Sequence, residues 1–269
     1  MAFNKDDLII NMVLSGTMFD KKTRDVLFSL SMIEDPSLEI GGEKVYATDN
    51  YGMNIAAFNR AKTAKFSGSN SLFSLGLMAN QLGTNKEIAD SEHKLTVPKR
   101  EIIQVGFESG GTANTTVSLA YAPVAGSITI ERLDDGKSLV GTTIPVEVSA
   151  SSTAASVSDK VITLPTGMLA GTDWIGVYYE YETDSALKIS NKSDAFTTAG
   201  EFHLEVLFAE KCNQAVQYYG YIVFPSAVLD NNATINLTTD GKHAFSIEAM
   251  TDYCSADKEL FYIVVPDAA

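Results

Sequence analysis

Catalysis needs nucleophiles, bases and carboxylates that converge, and this chain spreads such residues thinly. Its histidines are His93, His203 and His243. His203 lies in Glu201-Phe202-His203-Leu204-Glu205, where the two-residue period of a strand would put Glu201, His203 and Glu205 on one face. A row of two carboxylates and an imidazole has donors for a divalent cation. It lacks the HxxxH or HxH spacing of a recognisable metal site, and it reads more simply as the wet side of a strand.

Two further stretches imitate chemical motifs. Asp134-Asp135-Gly136-Lys137-Ser138 ends like a phosphate-binding loop, but Glu131 stands where the first glycine is needed and no helix follows. A hairpin turn is expected there. Glu108-Ser109-Gly110-Gly111-Thr112 lacks the Gly-x-Ser-x-Gly of a nucleophile elbow. Glycosylation sequons at Asn114, Asn191, Asn232 and Asn236 read as ordinary polar strand or turn residues. Cys212 and Cys254 form no CxxC and have no histidine pair nearby, so two buried thiols in a reducing compartment are expected. Neither an enzyme, a metal nor a cofactor is expected.

The elements that would position these residues are mostly strands. One helix is expected over Ser69 to Gly83, capped by Ser69 and closed by Gly83, with Leu75, Met78, Ala79 and Leu82 on its buried face. Asp6 to Met12 and Lys21 to Leu30 could each wind a turn or two. Strands are expected at Ser127 to Leu133, Lys160 to Leu164, Trp174 to Tyr181, Glu201 to Ala209 and Glu259 to Val265. Asp240-Gly241 reads as the two-residue turn of a hairpin joining Ala233 to Thr239 with Lys242 to Ala249. On the strand from Glu201, the residues Phe202, Leu204, Val206 and Phe208 must enter a core. On the last hairpin strand, His243, Phe245 and Ile247 oppose Lys242, Ser246 and Glu248.

The chain has 269 residues, 45% of them apolar and 20% charged, with a net charge of −14. That composition supplies a core and excludes disorder as the main state. The acidic balance argues against gripping DNA, which requires clustered cations. Neither a secretory leader nor a membrane span is apparent, so manufacture in a cytosol is expected. Residues 111–184 are rich in Ser, Thr, Ala, Val and Gly and read as about five short strands, a β-sandwich-like module inserted into one larger domain. The expected organisation is therefore a discontinuous β core of residues 1–110 and 185–269 interrupted by that module. Trp174, Tyr178, Tyr179 and Tyr181, or Tyr218, Tyr219 and Tyr221, could line a carbohydrate or partner surface. Tyr219 and Tyr221 fall on one face and Tyr218 on the other. These aromatics allow a carbohydrate-binding adhesion module as an alternative from another functional class.

Two groups of phrases carry a resemblance. The first runs Gly41-Gly42-Glu43-Lys44-Val45-Tyr46-Ala47-Thr48-Asp49-Asn50-Tyr51-Gly52 and continues from Ala57 to Asn70. The second comprises Ala209-Glu210-Lys211-Cys212-Asn213, Tyr221-Ile222-Val223-Phe224-Pro225-Ser226-Ala227 and the stretch from Phe245 to Cys254. In order these give a strand pair, a short helix, a long excursion, an apolar strand ending in proline, and a final hairpin. The arrangement resembles structural proteins of tailed bacteriophages, above all major tail tube proteins.

That resemblance implies a mainly β protomer, a β-sandwich or half-barrel with one short flanking helix. It implies homo-oligomeric rings, hexameric in the family, that stack into a tube bounding a channel for viral DNA. Partners would be further copies of the chain, other tail proteins and DNA in transient passage, with no membrane. The place would be the virion, after synthesis in the host cytoplasm. A capsid or decoration protein is the alternative within the same virion. An acidic lumen would repel phosphates and keep DNA mobile, and Glu201, Glu205 and Glu248 are the candidates to line it.

Overall fold

Alternating apolar and polar residues drive nearly all of this chain into strands, because a pleated strand sends successive side chains to opposite faces. The computed structural model describes residues 7–108, 113–133, 141–232, 234–235, 237–239, 241–253 and 255–266. The fold is mainly β, of the sandwich type, and divides into two compact units: residues 1–86 with 189–269, and residues 87–188.

The first unit opens with β1 (Leu8–Asp20), β2 (Val26–Leu30), β3 (Ile33–Thr48), β4 (Asn54–Asn70) and α1 (Leu75–Gln81). The second unit holds β5 (Glu87–Ile88), β6 (Leu95–Gln104), β7 (Thr116–Ser118), β8 (Thr129–Leu133), β9 (Gly141–Ile144), β10 (Val146–Glu147), β11 (Ala155–Ser158), β12 (Val161–Thr163), β13 (Trp174–Thr183) and β14 (Leu187–Lys188). The first unit then resumes with β15 (Gly200–Glu210), β16 (Gln217–Leu229), β17 (His243–Ala249) and β18 (Tyr262–Val264).

In the first unit all the strands form one sheet in the order β2-β1-β15-β16-β17-β4-β3, with β18 also paired to β16. The sheet bends around a single core. Phe202 of β15 meets Phe28 of β2, Phe66 of β4 and Phe224 of β16 at ring distances of 6.4, 5.9 and 6.1 Å. Phe202, Leu204, Val206 and Phe208 are all buried in it, as their alternation requires. Gly16 makes room for this packing, since a Cβ there would stand 2.9 Å from Cζ of Phe202.

The second unit has a core of its own around Ile130, Ile144, Ile162, Ile175 and Val177, between the sheets β6-β13-β8-β9 and β10-β11-β12-β7. The composition-based range 111–184 lies inside this unit. The unit begins earlier because β6 pairs along its whole length with β13, from Leu95 opposite Thr183 to Gln104 opposite Trp174.

Several local expectations are corrected. Ser69 and Asn70 end β4, paired with Ala244 and His243. The helix starts after Ser74, whose Oγ accepts the Leu77 N–H at 3.3 Å. With only seven residues it buries Leu77, Ala79 and Gln81, while Leu75 is exposed. Gly83 does close it, at φ +65°. The stretches offered as short helices lie in β1 and β2, because their apolar residues pair across to β15 and to each other. Asp240 lies outside the described residues. Among the described residues of the expected hairpin, one antiparallel bridge joins Ile235 to His243; Ala233 and Asn236 also lie outside the described residues. The ladders of β17 run to β16 and β4. Pro225 does not end its strand. It sits at the register shift of β16 against β15, where a missing N–H costs no ladder bond.

Candidate functional site

The feature that dominates the surface of the first unit is the β3–β4 hairpin. Near its root, Phe66 and Ala64 are buried and pair with Leu38 and Ile40. Beyond residue 40 the ribbon leaves the core, and nearly every residue through Thr63 is exposed on both faces. Ten residues at strand rise carry its tip about 30 Å outward. Opposed residues in an antiparallel pair share a face, so Val45 with Phe58 occupies one side. Tyr46 and Ile55 occupy the other. The tip is held in shape by Asp49, whose Oδ1 accepts the N–H groups of Tyr51 and Met53 at 2.9 and 2.8 Å. Gly52 supplies the φ of +80° that the turn needs, and Tyr51 is presented at 93% exposure. The arm is also basic in an acidic chain: Lys44, Arg60 and Lys62 outnumber Glu43 and Asp49 over residues 40–64.

The second feature is the outward face of β17, β4 and β3. Its positions carry Ser246 opposite Ser67, Glu248 opposite Lys65, and Lys65 opposite Glu39. Lys65 Nζ stands 3.6 Å from Glu248 and 4.0 Å from Asp230, and Ser246 Oγ donates to Asp230 at 3.2 Å. The backbone N–H of Asn232 holds the Asp230 carboxyl below its ordinary value, with help from Ser246 and Lys65. Lys242 bonds to Glu34 and lies 3.7 Å from Asp35, and the Glu34 bond raises its ammonium above the ordinary value. This face is a band of serine hydroxyls and carboxylates in which five acids face two lysines.

Glu201 and Glu205 lie on the outward face of β15, which β16 separates from β17 and Glu248. Both are engaged. Glu201 bonds to Arg24 and to His203 Nε2, the latter at 2.7 Å, and Ser15 Oγ donates to Glu205 at 3.1 Å. Arg24 also lies over the Phe19 ring at 5.6 Å, and that ring touches His203 at 5.0 Å. Among the described residues no group of three or more His, Cys, Asp and Glu side chains is placed to hold a metal ion. Alongside these groups runs an apolar strip in which Tyr219 and Tyr221, expected on one face, are joined by β18 residues that the sequence did not place beside them. Register places Ser15, Glu205, Tyr221 and Val264 in one row, and Thr17, His203, Val223 and Tyr262 in the next. Tyr219 follows, opposite Leu207.

The remaining candidates are dispersed. His243 is buried, with Nε2 donating to Gln81 Oε1 at 2.7 Å and its ring stacked on Phe73; burial pushes its imidazole below the ordinary value. His93 donates its backbone N–H to Asp90 in an exposed turn of the second unit. Trp174 and Tyr178 leave β13 on one face, Tyr179 and Tyr181 on the other, so the four make no single platform. Tyr179 is buried and donates to Glu101 at 2.5 Å; burial, then that bond, push its phenol up to about 12. Cys212 is exposed, in the turn between β15 and β16, and not buried as expected. Cys254, the turn at Asp134 to Gly136 and residues 109–112 lie outside the described residues.

No helix among the described residues is long and apolar enough to cross a membrane. The profile of the YomU/Tube protein family matches residues 8–263. No curated protein matches the chain.

Proposed function

The chain belongs to the YomU/Tube protein family, which makes it a phage-related structural protein, and from that premise we propose that it is the repeating subunit of a tail tube. The observation that carries this reading is the arm. A two-stranded ribbon with both faces in water is marginal by itself, and this one exposes Tyr46, Tyr51, Met53, Ile55 and Phe58. Such a ribbon is completed by burial against another molecule. Its positive charge in a chain of net −14 favours another copy of the same chain.

A contact between an arm and a different surface is heterologous, so it generates a ring where the rotation closes and a stack where the rings' two sides match. Six copies per ring follow the tail-tube resemblance. The serine and carboxylate band around Glu248 is the surface suited to the lumen, since it offers passing phosphates no free cluster of cations. The Glu201 and Glu205 side, with its exposed aromatics, suits contact with protein.

The experiment is negative-stain microscopy of purified protein beside a variant in which residues 42–61 are replaced by a two-residue turn. Wild type is expected to give rings or tubes, and the shortened protein folded monomers. Tubes from the shortened protein would remove the arm from assembly, and a wild type that stays monomeric at high concentration would remove the tube itself.

A further inference from the structure

Resting on the self-assembly reading above, we infer that the aromatic strip on the outward face of β15, β16 and β18 is the seat for the arm of a second copy. Tyr219 and Tyr221 are 57% and 40% exposed, and Tyr262 and Val264 stand beside them on β18. Apolar side chains adjacent in register form a continuous surface, unlike singly scattered ones. Leu207 and Val223 fill its floor and are themselves buried. Among the described residues the strip and the arm both stay exposed, so the two do not meet within one protomer.

Their chemistry matches. The arm brings Tyr46 and Ile55, which share one of its faces, as apolar contacts and Lys44, Arg60 and Lys62 as cations along the ribbon; the strip brings tyrosines flanked by Glu201 and Glu205. Residues 40–64 carry a net charge of +1, which leaves the rest of the chain at −15. Two bodies at −15 repel, and a cationic arm laid beside carboxylates offsets that repulsion where they touch. Tyrosine suits the role, because a large ring with few rotors loses little entropy on contact and keeps its hydroxyl solvated. The engagement of Glu201 by Arg24 and His203 holds the strip's polar border in a fixed arrangement before any partner arrives.

The test uses full-length protein with Cys212 and Cys254 replaced by serine. Tyr51→Cys is introduced in one preparation and Tyr219→Cys in another, and the two are mixed under assembly conditions with a short bismaleimide. Cross-linked heterodimers are expected from the mixture, with neither preparation alone giving more than trace dimer. In parallel, Tyr219→Ser with Tyr221→Ser should keep the wild-type circular dichroism spectrum while assembly falls at least tenfold. Cross-linking depends on the reach of one chosen pair, so Tyr46→Cys and Phe58→Cys are run in place of Tyr51→Cys. If rings form and no arm position cross-links to the strip, the inference is overturned while the tube reading stands. The same holds if the folded double-serine variant assembles like wild type. If the wild-type chain never associates, both fall together.

Discussion

Replacing Phe202 with alanine tests whether the sheet of the first unit owns a core that folds by itself. The ring is fully buried, and aromatic neighbours from three different strands surround it. Gly16 sits bare against it, so the backbone of β1 already lies as close as it can. Removing the ring leaves a cavity whose walls are fixed by strand pairing on every side, which puts the loss near the middle of the range for buried phenylalanine, about 4 kcal/mol. With a urea dependence of about 2 kcal/mol per molar, that moves a midpoint by roughly 2 M. The assay separates the units because Trp174 is the chain's one tryptophan and lies in β13 of the second unit. Circular dichroism should show the first unit's transition displaced by that amount, while the Trp174 fluorescence midpoint stays in place. Equal displacement of both signals would refute the idea of two independently stable cores. A loss below about 2 kcal/mol would refute the rigid-walled cavity.

Gly83→Ala should cost about 3 kcal/mol, because φ +65° strains any L side chain and the new Cβ would fall within 2.4–2.7 Å of Phe196 backbone atoms; a thermal melt unchanged from wild type would contradict this. Burial lowers the His243 pKa, so the unfolded chain binds its proton more readily. Stability should therefore hold above about pH 6.5 and decline as pH falls below it; urea midpoints across that interval should be flatter in His243→Gln, and an identical slope would exclude His243 as the cause. Glu39→Lys with Glu248→Lys turns the carboxylate band, net −3 from its five acids and two lysines, to net +1. Phage carrying both changes should assemble but eject DNA more slowly at low salt, recovering above about 0.1 M as screening shortens, whereas wild-type rates at low salt would show that this band does not face DNA.

What could be read from residues alone follows the range over which each signal acts. The strand at Glu201 to Ala209 was legible because its period of two is local and every second residue is a large apolar one. The end of α1 was legible because Gly83 declares a left-handed position. Its beginning was not: Ser69 and Ser74 are equally good caps, and only the pairing of β4 with β17 consumes the first of them. The turn at Asp240-Gly241 said little about the sheet for a similar reason, since the ladder partners of β17 lie 18 to 183 residues away. Tyr219 and Tyr221 were legible as sharing one face, but the strip as a whole was not, because Tyr262 and Val264 come from a second strand that register alone brings beside them. The arm did leave a trace. Strands of 16 and 17 residues with apolar side chains on both faces and a small excess of cations do not describe a sheet packed on one side.

The sheet of the first unit has one inward face, apolar except at its His243–Asn70 end, so specialisation is confined mainly to outward positions. At β3, β4 and β17 those positions hold Ser37, Glu39, Lys65, Ser67, Ser246 and Glu248; at β16 and β18 they hold Tyr219, Tyr221, Tyr262 and Val264. Register ties both sets to the core. A one-residue slip of β17 would turn Phe245 and Ile247 to water and Glu248 inward. The two apolar side chains alone are worth about 2 kcal/mol each, before the buried carboxylate is counted. The outward chemistry therefore cannot wander relative to the fold, and it can be changed without disturbing the fold. The proposed wall facing DNA and the proposed seat for a neighbouring arm can be carried by one sheet because the same inward pattern would hold each of them in place.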